Sequence, residues 1–342
     1  MRKTIKGKSM FCSRIAPAAP IPRTCASAIL AVAAVLSCTA AVAAYPERPI
    51  TVLVPFPAGG INDTIARPVL QKLGEALETS IVVENRPGAS GAIGSSQAAR
   101  AKPDGYTLLL GAASTLAVVP QLNTNAGYHP LDDLVPVGGI ASVASVLITG
   151  RKDTYSTLPA VHAAAKARPD LLTYGSAGPG TSQHMQMAQY NLAQGLQMMH
   201  VPYRGGAPAM TDLVGGQVDL MMEPVATALP QIRGGRVLPL AISQKTRSAL
   251  LPDVPTFAEA GVPGYEVSTW FSLMAPAGVD ADVLQRLSDT LVQVLADPEI
   301  VKALGDRGVD AMPLPSAAMK AYMAQEYALW GKVIKEAGIT PQ

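Results

Sequence analysis

Ile50-Thr51-Val52-Leu53-Val54 is a β-prone run that is followed by a different pattern. After Pro55-Phe56-Pro57-Ala58-Gly59-Gly60, apolar residues recur at Ile61, Ile65, Val69, Leu73 and Leu77. A spacing of four stacks side chains on one helix face. The segment therefore predicts a buried strand, a glycine turn and an amphipathic helix. Asn62 and Asp63 are residues of N-cap type, which puts the helix start beside them. Pro68 would fall beyond the first turn, where a proline should disturb the helix.

Further β-prone runs lie at 80–84, 106–111, 143–149, 172–175, 198–201, 218–222, 237–243 and 271–275. Most precede a helical pattern. Leu284, Leu287, Leu291 and Leu295 mark one helix; Met319, Met323, Tyr327, Trp330 and Ile334 mark the last. Strands alternating with helices imply an α/β fold with mainly parallel sheets flanked by helices. No repeat, low-complexity tract or Ser-rich linker divides the chain, and its length suits two domains. Domains without a linker are expected to share crossing strands. Ligands of open α/β sheets sit outside the carboxyl ends of strands, so two such domains facing each other would form a cleft.

Composition changes the picture at the N-terminus. Residues 1–44 hold six basic residues and no acidic one, and an uncharged Ala-rich run from Thr24 ends in Ala41-Val42-Ala43-Ala44. A basic start, an apolar stretch and a small-residue cleavage site read as an export signal peptide. Two other readings are an uncleaved anchor and a lipid anchor at Cys38, with Val35-Leu36-Ser37 as its lipobox. Cys12, Cys25 and Cys38 are the only cysteines. A chain starting at Tyr45 would have no disulfide, thiol nucleophile or thiolate metal site. Without the leader, 21 Lys and Arg face 25 Asp and Glu, a formal charge of −4. The basic balance thus belongs to the leader, and no nucleic-acid or membrane-surface patch is expected in the rest.

Candidate chemistry lies in five loops after strands. The first, Pro57, Ala58, Gly59, Gly60, Ile61, Asn62 and Asp63, would leave helix N-terminal N–H groups unpaired, a setting that favours an anion such as a carboxylate. The second contains Ser114 and Thr115. The third runs Ser176, Ala177, Gly178, Pro179, Gly180, Thr181, Ser182 into a helix with His184. The fourth is Arg204, Gly205, Gly206 and Ala207, and the fifth is Glu223-Pro224. Strand-to-helix turns need glycine for purely structural reasons, but several such loops at the same ends of successive strands point to a shared site. Arg204 pairs with a ligand carboxylate or a structural acid; Glu223 meets a ligand amino group or hydroxyl, or fixes the Gly205 loop. His184 lines the cleft or caps a helix. Trp270 belongs at a hinge or in the pocket, with the hinge preferred.

Other chemistries lack support. The Gly88–Gly94 stretch follows Asn85-Arg86-Pro87 and has no ribose-binding acid at the right distance, so it reads as a tightly packed turn and not as a dinucleotide site. No Gly-x-Ser-x-Gly elbow occurs. The four histidines, His129, His162, His184 and His200, have no metal-ligand spacing. No catalytic residue, metal or cofactor is assigned.

Six stretches, YPERPITVLVPFPAGGINDTIAR, VVENRPGASGAIG, AKPDGYTLLLG, LTYGSAGPGTSQH, VPYRGGAPAMTDLVGGQVDLM and WFSLMAPAGV, resemble in order and spacing the Bug family of extracytoplasmic solute receptors. These are the binding proteins of tripartite tricarboxylate transporters. The resemblance implies a two-domain periplasmic binding protein of Venus-flytrap, type II-like form, with a small carboxylated ligand between its lobes. It places backbone donors at Ala58–Asp63 and second-domain contacts at Ser176-Ala177-Gly178 and Gly205-Gly206-Ala207. Many members have Asp where this chain has Glu223, and Thr where it has Asn62. The expected boundaries are a signal peptide at 1–44, domain 1 at 45–145 plus 267–342, and domain 2 at 146–266. The expected protein is a periplasmic monomer. It captures an amino acid, di- or tricarboxylate or aromatic acid and passes it to membrane permease subunits. An exported α/β enzyme such as a hydrolase, or a sensor for a signalling partner, are the rival readings.

Overall fold

The computed structural model describes residues 45–169 and 171–340. The leader, with its expected cleavage site and Cys38, lies outside the described residues. Among the described residues no helix is long and apolar enough to cross a membrane.

The first strand–turn–helix forms as its pattern demands. β1 (Ile50–Val54) leads into α1 (Ile61–Ala76), whose Ile65, Val69 and Leu73 are buried. Val52 and Val54 pack with α1 on one face of the sheet, while Leu53 joins the core on the other. With helices on both faces, a strand has no polar side, which explains its unbroken apolar run. α1 passes through Pro68 without a break. The carbonyl four residues earlier belongs to Thr64, which is exposed, so water can replace the lost bond.

β2 (Ile81–Asn85) and β3 (Thr107–Ala112) flank β1, both parallel to it. A short helix, α2 (Ala92–Ala99), follows the Gly88–Gly91 turn, and α3 (Val119–Leu122) follows a wide turn at Ser114–Val118. Two long strands then cross the molecule: β4 (Leu134–Thr149) and, much later, β9 (Ser268–Pro276). The first half of β4 did not read as strand because Pro136, Gly138 and Gly139 interrupt it. Its pairing with β9 shifts register at these residues. A side chain on Gly138 or Gly139 would strike the Leu314 or Met312 carbonyl, at 2.8 and 2.6 Å. Close passage of the 312–315 segment therefore requires glycine there.

The far half of β4 pairs with β7 (Met221–Pro224) and β8 (Leu238–Ile242). β5 (Thr173–Ser176) and β6 (Met199–Pro202) form a separate parallel pair. β7 starts later than the apolar run at 218–222 suggests, because the Asp219 and Leu220 amides turn to the Thr173 carbonyl. Helices α4 (Leu158–Ala167), α5 (Ser182–Gln194), α6 (Gly206–Val214) and α7 (Val225–Arg233) complete this part. Its core contains an edge-to-face aromatic cluster of Tyr190, Phe257 and Tyr265.

After β9 the chain returns to the first half as α8 (Ala281–Ala296), α9 (Pro298–Gly305), β10 (Asp310–Ala311) and α10 (Ser316–Glu336). The sheet runs β10-β4-β9-β3-β1-β2. Helix and strand alternate as expected, but the sheet is mixed and not mainly parallel. Between strands of the described residues, parallel pairing is limited to β1–β2, β1–β3 and β5–β6, while β4 and β9 pair antiparallel with each other and with all their other partners.

Candidate functional site

The first loop is shaped by a carboxylate inside the helix, not by a cap in front of it. Gly60 is the N-cap residue and has no capping side chain, so neither Asn62 nor Asp63 fills that role. Asp63 Oδ2 accepts from the Gly59 amide at 3.2 Å and from Arg67 Nε at 2.8 Å. Its Oδ1 accepts from Arg67 Nη2 at 3.0 Å and Asn85 Nδ2 at 3.3 Å. Asn85 also donates to the Phe56 carbonyl. Pairing with Arg67 is the main reason the Asp63 carboxyl lies below its ordinary range.

The Gly59 amide is thus used within the protein. The amides of Gly60, Ile61, Asn62 and Asp63 find no acceptor among the described residues, and the first helical bond runs from Thr64 to Gly60. These donors stand at the positive end of a 16-residue helix, under an exposed Pro57–Gly60 turn. Asn62 is 8% exposed, and its Oδ1 has no partner among the described residues. The Gly88–Gly94 stretch packs beneath this loop. A Cβ on Gly91 would meet Thr115 Cγ2 at 2.6 Å, and one on Gly94 would meet Pro55 at 3.0 Å.

Thr115 is buried, and its hydroxyl closes its own turn by accepting from the Ala112 amide and donating to the Ala112 carbonyl. Its neighbour Ser114 is half-buried and makes no such bond.

In the second half, Ser176, Ala177, Gly178, Thr181 and His184 form one hydrogen-bonded cluster. Gly178 has φ +126°. Its amide donates to Ser176 Oγ, and its carbonyl accepts from Thr181 Oγ1. The Ala177 amide donates to Gln183 Oε1, and Gln183 Nε2 donates to Glu223 Oε2 at 2.8 Å. Thr227 Oγ1 donates to the other Glu223 oxygen. Glu223 therefore fixes the Ser176 loop through Gln183, where the sequence suggested a link to the Gly205 loop. Burial without a cation raises its carboxyl pKa. Gly205, at φ +120°, turns the fourth loop into α6, and Gly206 lies 3.6 Å from Gln183 Nε2 as measured from its would-be Cβ. Arg204 and Ala207 are exposed, and Arg204 forms no ion pair among the described residues. Ser182 stands in the first turn of α5, where its side chain makes no hydrogen bond among the described residues.

No direct bond joins the Pro57–Asp63 cluster to the Ser176–Glu223 cluster. Strand direction points both sets of loops toward the level between the halves. β4 runs from the first half to the second, and β9 runs back. β3 is antiparallel to β9, and β1 parallel to β3, so the carboxyl ends of β1 and β3 point at the second half. β7 is antiparallel to β4, and β5 and β6 follow β7 through the Tyr174–Leu220 bridge, so their carboxyl ends point back. β3 ends level with Ala141 of β4 and β7 with Ser145, which separates the two levels by about 13 Å at the usual strand rise. That is room for a small molecule in the crevice where α/β proteins bind ligands.

Sequence reading missed Asn85, Gln183 and His200. His200 Nε2 lies 2.6 Å from Ser176 Oγ, and its ring stacks on His184 with centroids 3.9 Å apart. The parallel register of β5 and β6, with Tyr174 opposite His200, creates that meeting. Trp270 donates from its indole to Glu326 on α10 and is fully buried, in keeping with a structural position on a crossing strand.

Comparison with known proteins gives a consistent result. A family model described as tripartite tricarboxylate transporter family receptor matches residues 65–339. Protein BugT of Bordetella pertussis is 36% identical over 317 residues, which cover 91% of this chain and 97% of that protein. The structure of R. palustris Rpa4515 with adipate has a TM-score of 0.79 at 33% identity, covering 87% of this chain and 100% of that one. MatC (Rpa3494) from Rhodopseudomonas palustris with bound malate has a TM-score of 0.74 at 29% identity, covering 85% of this chain and 100% of that one.

Proposed function

Because the chain belongs to the tripartite tricarboxylate transporter receptor family, and is therefore a solute receptor and not an enzyme, we propose that it captures a small carboxylate between the α1 N-terminus and the second-half loops. The observation that carries this reading is the set of free amides at Gly60–Asp63, aimed across the crevice by the direction of β1. One ligand carboxylate sits on these amides. The other end of the ligand meets the Ser176–Ser182 loop and the Arg204–Ala207 turn. Adipate and malate on relatives of the same family support a dicarboxylate as the first candidate.

Backbone donors are strong enough for this task. Hydrogen bonds to charged groups contribute about 1.5–3 kcal/mol each, and a micromolar Kd needs about −8.2 kcal/mol. Three or four such bonds are of the right order, so an arginine clamp is not required on the first loop.

The lobes in this reading are 45–145 plus 267–342 and 146–266, closing about β4 and β9. The receptor acts in the periplasm as a monomer, after loss of the leader at 1–44, and its closed form docks on membrane permease subunits. A thermal-shift screen of mono-, di- and tricarboxylates tests the capture step. A true ligand at 100 times its Kd adds about 2.7 kcal/mol of stability. If no carboxylate raises Tm while a neutral sugar or an amine does, the reading is wrong.

A further inference from the structure

His184 and His200 have no place in the account of the free amides, yet they form a stacked pair of buried or half-buried imidazoles in the second half. Their rings lie parallel within 10°, with centroids 3.9 Å apart, and Tyr174 lies beside the pair, 5.1 Å from His200 and 6.5 Å from His184. The two imidazoles are separated by 16 residues, one on α5 and one on β6. Each ring holds a different point of the same loop, and each uses a different nitrogen. His184 Nδ1 accepts from the Gly180 amide at 3.2 Å. His200 Nε2 shares a hydrogen bond with Ser176 Oγ at 2.6 Å. Ser176 Oγ in turn accepts from the Gly178 amide. The stack therefore spans the loop from its first residue to the last one before the α5 N-cap.

Burial keeps both rings neutral, His184 down to about 4 and His200 down to about 3, the second also through repulsion from a charged His184. A neutral ring retains an acceptor nitrogen, which the Gly180 contact needs.

We propose that His184 and His200 are positioning residues. Acting through opposite ring nitrogens, they set the shape of the Ser176–Thr181 loop and so the affinity of the second half of the site for its ligand. The inference rests on the reading of this crevice as a carboxylate site.

Side-chain amides give a crossed test, since Asn places its polar atoms near the position of Nδ1 and Gln near that of Nε2. Every such variant loses the aromatic stack, so the difference between them isolates the hydrogen bond. Four variants, His184→Asn, His184→Gln, His200→Gln and His200→Asn, are titrated at pH 7 with malate and with adipate. Amide exchange at residues 176–181 is followed in the same proteins without ligand. The expected result is that His184→Asn and His200→Gln bind within about threefold of the natural chain. His184→Gln and His200→Asn bind at least tenfold more weakly at similar Tm, with loss of protection at Gly180 and Gly178 respectively. Equal affinities and equal protection across the four, or the reverse order, overturn the proposal. If neither acid binds the natural chain, that counts against the dicarboxylate reading, and the exchange pattern still decides whether the pair positions the loop. If the matched variants unfold, exchange at Gly180 in the natural chain decides: protection lost only below about pH 4, where His184 charges, supports the proposal, and protection unchanged through that range defeats it.

Discussion

At Gly59 the backbone has φ +83°, a conformation that costs an L side chain about 1–2 kcal/mol, although nothing lies within 4 Å of a would-be Cβ. Gly60 is different: its φ is −78°, and a Cβ would meet only the Pro57 carbonyl, at 3.7 Å. Gly59→Val should therefore lower stability by about 1–2 kcal/mol in denaturant unfolding. Gly60→Val should leave the unfolding midpoint nearly unchanged while reducing carboxylate affinity at least tenfold by calorimetry, because its side chain stands over the free amides. Unchanged affinity in the folded Gly60 variant would move the site elsewhere. Asp63 gives a pH signature. Its carboxyl is held below the ordinary value by Arg67, so its contribution is present above the unfolded pKa of 3.8 and is lost as pH falls through the lower folded value. Asp63→Asn should cost about 1 kcal/mol at pH 7, discounted because Arg67 is half exposed, and the gap from the natural chain should close in acid.

At the scale of elements, α5 and β6 carry the larger part of the acid sensitivity of the second half, and His162 on α4 is lowered in the same sense by burial. His184 and His200 sit below their ordinary 6.5, at about 4 and about 3. The unfolded chain takes up protons as pH falls through 6.5 while the folded chain does not. Stability is therefore complete above about 6.5 and declines as pH falls toward 4 and 3. Tm measured at pH 7.5, 6, 5 and 4 should drop progressively, and the double variant His184→Asn with His200→Gln should flatten that slope. Elements with strong local periodicity were legible from sequence: β1, α1, α8 and α10 lie where alternation and spacing put them. So were the loops, because Gly59, Gly178 and Gly205 mark turns with positive φ. The first half of β4 was hidden by glycines needed for close passage. The Gln183–Glu223 link and the histidine stack were hidden more deeply. They depend on strand register, and a lone His in Met198-Met199-His200-Val201 carries no local sign of its partner.

At the scale of the whole molecule, β4 and β9 are the only crossings between the halves among the described residues, and one serine adds a side-chain link to their backbone pairing. Ser243 Oγ accepts from the Ser145 amide on β4 at 2.8 Å and donates to the Val267 carbonyl just before β9 at 2.5 Å. It is 3% exposed. Ser243→Ala leaves both backbone groups buried without a partner, so it should cost about 1–3 kcal/mol by chemical denaturation. A stability change near zero would mean that the crossings are held by their pairing alone. The position of β9 between β3 and β4 also governs the order in which the molecule can be completed. A nascent chain emerges from its N-terminus, so the central strand of the first-half sheet arrives after residue 266, when most of the chain is already out. Until then β3 and β4 have no common partner, and closure depends on contacts distant in sequence, which form slowly. The first-half sheet can therefore be completed only after β9 has been made, near the end of synthesis.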